Sequence, residues 1–373
     1  MEDRKSINWL RRRLLAWFDR HRRDLPWRRD RDPYRIWVSE VMLQQTTVAA
    51  VIPRYQVFLA RFPDVFALAE AEERDVLQAW QGLGYYRRAR HLHAAARTIV
   101  AQYNGQFPQE FDECCQLPGM GRYLVGAVLS QAFEKRLPIL EANSERVLTR
   151  LLGETGNLRA AKVRNRLWQF ADTMLPNRRV GDFNQALMEL GALVCLPRKP
   201  RCSECPLADG CFAFRKGIQE TLPVRSQKSP TVHRHELCLI IWRGSKALWL
   251  QRPAVGRWPL LWEFPRAPIP THDSVPEAAP RMARELTGTD IALREHLGVI
   301  HYTIVREKVT VACWNAVWRR GRVRCPNHVK YRWLDCRSWD TLAFCSPQRR
   351  LARLALEWVH KCHVNSDPTV GFP

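Results

Sequence analysis

Leu117-Pro118-Gly119-Met120-Gly121-Arg122 is a tight turn between two stretches of helical periodicity. Its glycines let the backbone turn closely and leave amides free at the start of the following helix, where the dipole favours an anion. That is the pattern of a helix-hairpin-helix phosphate anchor, with Gly119, Gly121 and Arg122 as its contacts. A lone Pro-Gly-x-Gly is more often a plain turn, so the surroundings decide.

Those surroundings are helical. Leu14, Leu15 and Phe18 fall at helical spacing within 11–19, and Asp32-Pro33 starts a helix with an Asp cap and a first-turn proline. The stretch that follows runs through Ile36, Glu40, Leu43 and Thr47. Further helical patterns cover about 65–80, 87–103, 122–133, 144–152, 161–174 and 182–194. At the end of this region stand Cys195, Cys202, Cys205 and Cys211, a C-x6-C-x2-C-x5-C run. Four thiolates so close in sequence can close around one metal centre, and spacing alone leaves zinc and an iron–sulfur cluster as competitors.

After Cys211 the composition changes. Residues 218–232 are polar, with two prolines and no apolar period, and form a linker. Strand-like runs follow at Leu237–Trp242, Ala247–Gln251, Val309–Trp318 and Tyr331–Leu334, with helical stretches at about 277–287 and 347–360. The expected organisation is an all-α domain over 1–217, a linker over 218–232 and an α+β domain over 233–365.

The chain has 373 residues, ample for two domains with cores. Its 59 Lys and Arg against 37 Asp and Glu give a net charge of +22. Residues 1–217 hold 35 basic and 24 acidic side chains, and residues 218–373 hold 24 and 13, so each part carries +11. No basic tail explains such an excess, and a folded surface of this kind suits a polyanion, most commonly nucleic acid. No window approaches the roughly 18 apolar residues of a membrane span. Met1-Glu2-Asp3-Arg4-Lys5 opens no apolar signal core. The expectation is a cytoplasmic, nucleoid-associated protein without a membrane partner, its cysteines reduced or metal-bound.

Two carboxylates stand out. Glu40 lies on the apolar stripe Ile36–Leu43, and burial there would raise its pKa and keep a proton for general-acid work. Glu141 lies just before Asn143, the expected cap of the helix through Leu152, where a helix N-terminus favours the anion. One acid and one anion is the division of labour that glycosidic cleavage through a cationic sugar needs. Gly82-Leu83-Gly84-Tyr85-Tyr86-Arg87-Arg88 and Gln44-Gln45 add side chains able to wedge into a base stack.

Together these residues resemble the adenine DNA glycosylases, the MutY family within the endonuclease III superfamily. The segments that carry the resemblance are Leu25-Pro26-Trp27-Arg28, Trp37 through Thr46, Gly82 through Tyr86, the Pro118–Arg122 hairpin, Phe183-Asn184-Gln185-Ala186 and the four cysteines, in family order. The resemblance implies a [4Fe-4S] cluster on Cys195, Cys202, Cys205 and Cys211. It implies a monomeric protein whose partner is double-stranded DNA, and hydrolysis of an adenine extruded from a mispair with 8-oxoguanine or guanine. By the same resemblance Glu40 is the acid, Glu141 the second carboxylate, Asn143 its orienting partner, and Tyr123 the tyrosine beside the sugar cation. Trp27, Arg28, Leu43, Val48 and Gln185 line the adenine pocket, while Gln45 and Tyr85 enter the base stack. Arg87 belongs with the phosphate contacts. The nucleophilic lysine of bifunctional relatives is replaced by Tyr123, which implies base removal without strand cleavage.

The sequence departs from the family in two places. Glu141 replaces an Asp, which leaves three readings: an adenine glycosylase adjusted to the extra methylene, a mismatch glycosylase of changed specificity, or a DNA-binding homologue with impaired catalysis. In the C-terminal domain, which resembles the family's Nudix-like reader around Gly256–Pro265, Ile304-Val305-Arg306 stands where Phe-Ser-His is common. Ile and Val offer no side-chain hydrogen bond to a guanine edge, leaving Thr303 or Arg306 to serve. The helix ending Arg284-Glu285-Leu286-Thr287 lacks the acidic pair of a Nudix hydrolase.

Overall fold

The computed structural model describes residues 4–224, 230–269 and 274–365. Met1-Glu2-Asp3 and part of the expected linker, 225–229, lie outside them. By their contacts the residues group into two units, Met1–Glu72 with Arg87–Gln227, and Glu73–Tyr86 with Lys228–Pro373.

In the first unit the helices are α1 (Arg4–His21), α2 (Pro33–Leu43), α3 (Val48–Arg61) and α4 (Val65–Glu70). The second unit takes α5 (Glu73–Ala79), and the first resumes with α6 (Arg87–Tyr103), α7 (Phe111–Gln116), α8 (Arg122–Phe133) and α9 (Ala142–Leu152). It ends with α10 (Ala161–Met174), α11 (Val180–Leu193) and α12 (Phe212–Arg215). The single helix expected over 65–80 is two helices, because Ala71 adopts an extended conformation. Asp32 caps α2 as expected, accepting hydrogen bonds from the amides of Tyr34 and Arg35. Leu10, Leu14 and Phe18 of α1 pack with Leu148 of α9, Leu167 of α10 and Phe183 and Leu187 of α11 in one core. Cys195, Cys205 and Cys211 pack against that core, so the cysteine loop is seated on the helices.

The second unit is built on a sheet of β1 (Val232–Arg243), β2 (Lys246–Gln251), β3 (Trp262–Glu263), β4 (Arg266–Pro268), β5 (Asp290–Ile304), β6 (Glu307–Arg320) and β7 (Lys330–Asp335). Long β1 and β6 run parallel at its centre, and β5 forms an antiparallel hairpin with β6. Helix α13 (Val275–Thr287) covers one face, where Ala279, Met282 and Ala283 meet Leu239 and Ile241. Helix α14 (Ser346–Asn365) covers the other with Leu351 and Ala355. The sequence pattern contains β1, β2, β6 and β7 but not β5. Ile304 pairs with Glu307, so Val305-Arg306 is a two-residue turn, with Val305 at φ 54° and 86% exposed. Glycine commonly takes this position in such turns.

Candidate active site

In the helical unit a cavity of about 840 Å³ is lined by ten of the expected residues: Trp27, Arg28, Glu40, Leu43, Gln45, Val48, Tyr123, Glu141, Asn143 and Gln185. Tyr85 is not in its lining, and by contacts it belongs to the other unit.

Glu40 sits on α2 and is 3% exposed. Its Oε2 accepts a 2.6 Å hydrogen bond from the Tyr123 hydroxyl, and its Oε1 a 2.9 Å bond from Gln131 Nε2; both donors stand on α8. Burial pushes the carboxyl pKa up; the two hydrogen bonds oppose the rise, neighbouring Glu141 adds to it, and Arg28 works against it. With uncharged donors on both oxygens, desolvation wins and the pKa stays above its ordinary value. Burial also raises the Tyr123 hydroxyl pKa, reinforced by the charges of Glu40 and Glu141, so Tyr123 is a donor rather than an anion.

Glu141 corrects one expectation: it, not Asn143, is the cap of α9. Its Oε1 accepts from the amides of Asn143 at 2.8 Å and Ser144 at 2.7 Å, while Ser144 Oγ accepts from the Glu141 amide at 2.9 Å. Asn143 Nδ2 reaches Glu141 Oε2 at 3.3 Å, and Arg146 donates to Asn143 Oδ1 at 3.0 Å. The extra methylene is thus accommodated by the helix terminus, which holds the carboxylate through two amides in the field that favours its charge. Close packing completes the corner, since a Cβ on Gly191 of α11 would lie 2.6 Å from that of Asn143.

Glu189, on α11, had not been singled out in the sequence. It is 1% exposed and lines the same cavity. Its Oε1 accepts from the amide and Nε of Arg23, and its Oε2 from Arg23 Nη2 and Arg28 Nη2, at 2.8–3.0 Å. Burial would raise its pKa, but the two guanidinium groups outweigh that and hold it at about 2. It fixes Arg28 in the cavity wall. Gln131 was also missed, and Arg88, singled out in the sequence with the Gly82–Arg88 stretch, bonds to the end of α2. Arg88 donates to the carbonyls of Val41, Met42 and Gln44 and to Thr46 Oγ1, closing the end of α2 where Gln45 turns at φ 59°.

The hairpin is formed as expected. Gly119 has φ 79°, and a Cβ there would lie 2.7 Å from that of His91; Gly121 caps α8 with open space around its Cα. The Arg122 guanidinium lies 3.9 Å from the Trp168 ring centre, and Arg87 is exposed beside His91, 3.3 Å from its Nε2.

The four cysteines line a single hollow with Arg150. Among the described residues no three Cys, His, Asp or Glu side chains are grouped as a single ion requires. Arg150 donates to Cys195 Sγ at 3.2 Å and to the Leu196 carbonyl at 2.8 Å, yet its Nη2 is buried without a partner. A cationic donor on one of the sulfurs, in a hollow lined by all four cysteines, fits an anionic thiolate-ligated cluster. Burial raises the thiols of Cys202, Cys205 and Cys211, and neighbouring thiolates add to this, so ligation must displace protons.

Three family models match the chain: an HhH-GPD superfamily base excision DNA repair protein over 38–172, the iron-sulfur binding domain of endonuclease III over 195–211, and a NUDIX domain over 237–354. The adenine DNA glycosylase of Homo sapiens is 32% identical, with 94% of this chain and 75% of the human one covered. That of Buchnera aphidicola subsp. Schizaphis graminum is 34% identical over 68% of this chain and 73% of its own. Among solved structures, a thermostable thymine-DNA glycosylase shares 31% identity at TM-score 0.53, covering 57% of this chain and 98% of that one. A trapped endonuclease III–DNA covalent intermediate matches in fold at TM-score 0.50 and 21% identity, covering 58% of this chain and all of that one.

Proposed function

Since the chain belongs to the adenine DNA glycosylase family, we propose that its cavity receives an adenine extruded from a mispair with 8-oxoguanine or guanine in duplex DNA. The chain is a DNA glycosylase of base excision repair, with a [4Fe-4S] cluster on Cys195, Cys202, Cys205 and Cys211. Such a cluster supplies one-electron chemistry when bound; the hydrolytic step needs none.

The observation that carries the reading is Glu40, a buried carboxyl held between uncharged donors, in the same cavity as Glu141, which caps a helix N-terminus through two of its amides. Glu40 gives its proton to a ring nitrogen of adenine. The bond between C1′ and N9 breaks, its electron pair moves into the purine, and neutral adenine leaves. Glu141, oriented by Asn143, stabilises the cationic sugar; water adds at C1′, and its proton returns to Glu40. Tyr123 holds Glu40 in place. Trp27, Arg28, Leu43, Val48 and Gln185 enclose the base, with Arg28 set by Glu189. Gln45 and Tyr85 fill the stack, and Gly119, Gly121, Arg122 and Arg87 contact phosphates. In this reading 1–217 holds the glycosylase chemistry, 218–232 connects, and 233–365 reads the mispair. In the same reading the protein works as a monomer on nucleoid DNA in the cytoplasm. The membrane is not its site of action, and no helix among the described residues is long and apolar enough to cross one.

Single-turnover release of adenine opposite 8-oxoguanine and opposite guanine tests the proposal, with faster release expected opposite 8-oxoguanine. Equal rates would remove damage-specific readout, and wild-type release by Glu40→Gln would remove the mechanism. The 31% identity to the thymine-DNA glycosylase structure favours one second reading, a mismatched thymine as substrate. Chromatography of the released base separates the two.

A further inference from the structure

We propose that the C-terminal segment 340–344 positions the Tyr85 turn, so that a part of the chain remote in sequence helps set where Tyr85 stands. This rests on the reading above that Tyr85 enters the DNA stack.

The two neighbouring tyrosines have opposite surroundings. Tyr85 is 55% exposed at φ 45°, between glycines of positive φ and Arg87. Tyr86 is buried, and its hydroxyl donates to the Phe344 carbonyl at 2.9 Å. Two residues of the same stretch do likewise: Gln81 Nε2 donates to the Leu342 carbonyl at 3.0 Å, and Gln78 Nε2 to that of Asp340 at 2.7 Å. Arg349 of α14 in turn donates to Gln81 Oε1.

The spacing of the acceptors explains the arrangement. An extended chain turns alternate residues to opposite sides. The carbonyls of Leu342 and Phe344 meet the Tyr85 segment, while that of Ala343 between them accepts the Trp262 amide of β3 at 2.9 Å. The segment 342–344 is thus held on one side by the sheet and holds the Tyr85 turn on the other. Its own position is fixed in the aromatic core, where the Phe344 ring stacks on Trp249 at 5.5 Å and Trp249 lies 4.0 Å from Phe264. Within the turn, Trp80 Nε1 donates to the Gly84 carbonyl at 3.1 Å and ties the residue before Tyr85 back to the end of α5. Tyr86 and Gln81 are therefore positioning residues: they touch no reacting atom, and they fix the base of an exposed side chain.

The test is a double-mutant cycle in the full-length protein. Binding is measured on a duplex with 2-aminopurine beside the mispair, whose fluorescence reports unstacking. Tyr86→Phe leaves a buried carbonyl without its donor and should weaken binding and the fluorescence change about tenfold. Tyr85→Ser should do at least as much, and Tyr85→Ser/Tyr86→Phe should be no worse than Tyr85→Ser alone. Gln81→Met, at a half-buried site with less risk to folding, should show the same coupling. If the losses multiply, for Tyr86 and Gln81 alike, their role is structural and the proposal is overturned while the Tyr85 reading stands. If Tyr85→Ser behaves as wild type, that reading falls and takes the proposal with it.

Discussion

Two walls of the pocket carry the same residue type in opposite states. On α2, Glu40 is buried, and its partners are a phenol and an amide. On α11, Glu189 is buried just as deeply, and its partners are two guanidinium groups. The first carboxyl is pushed above its ordinary range and the second held at about 2. Burial is common to both, so burial does not decide. Partner charge does: uncharged donors only soften desolvation, whereas Arg23 and Arg28 reverse it. One cavity thereby holds a carboxyl pushed above its ordinary range and an anion that keeps its wall in place.

The contrast can be broken most severely at Glu40. Glu40→Gln keeps the shape and hydrogen-bonding reach but has no acidic proton, and single-turnover release should fall by about 10²–10⁴ with duplex binding retained. Next comes Glu141→Gln, which leaves an oxygen for the α9 amides but removes the charge facing the sugar cation; release should drop by about 10²–10³.

Glu189→Gln acts on stability instead. It leaves Arg23 and Arg28 without their anion, and thermal or urea unfolding should show a loss of about 3 kcal/mol. The pH dependence gives the same comparison by another route. The folded pKa of Glu189 lies below the ordinary 4.5, so its stabilisation is complete above about pH 4.5 and is lost as pH falls toward 2. The folded pKa of Glu40 is raised, so its contribution is complete below the ordinary value and is lost as pH rises through the raised one. Unfolding of Glu189→Gln should show a flattened acid limb and an unchanged basic one.

The smallest effect is expected from Tyr123→Phe. It removes a hydrogen bond that favours the ionised form of Glu40, so the basic limb of the release profile should move to higher pH. A limb that moves down would mean that Tyr123 stabilises the neutral acid.

Much of this was legible in the chain. Helices α6, α8 and α10 lie where the periodicity places them, because a 3.6-residue apolar pattern is local. Strand β5 escaped because its pairing shifts register around His296 and Gly298, which breaks the two-residue alternation that marks a strand. Helix α3 escaped as well, with Pro53 inside it. The catalytic and base-contacting residues carried over by resemblance fall around one cavity, Tyr85 apart. Glu189 did not announce itself, since its partners lie 161 and 166 residues away and nothing near it in sequence marks it as paired.

The helical domain, the hairpin, the cysteine loop and the two carboxylates follow from the amino-acid order alone, since each is written in a short run of residues whose spacing is its meaning. The electrostatics and the supports come from the assembled fold. It made Glu141 the helix cap, separated the states of Glu40 and Glu189, and joined the Tyr85 turn to the carbonyls of 340–344. Those outcomes depend on which groups meet across the fold and how much water they lose there, and neither quantity is a property of a local stretch of chain.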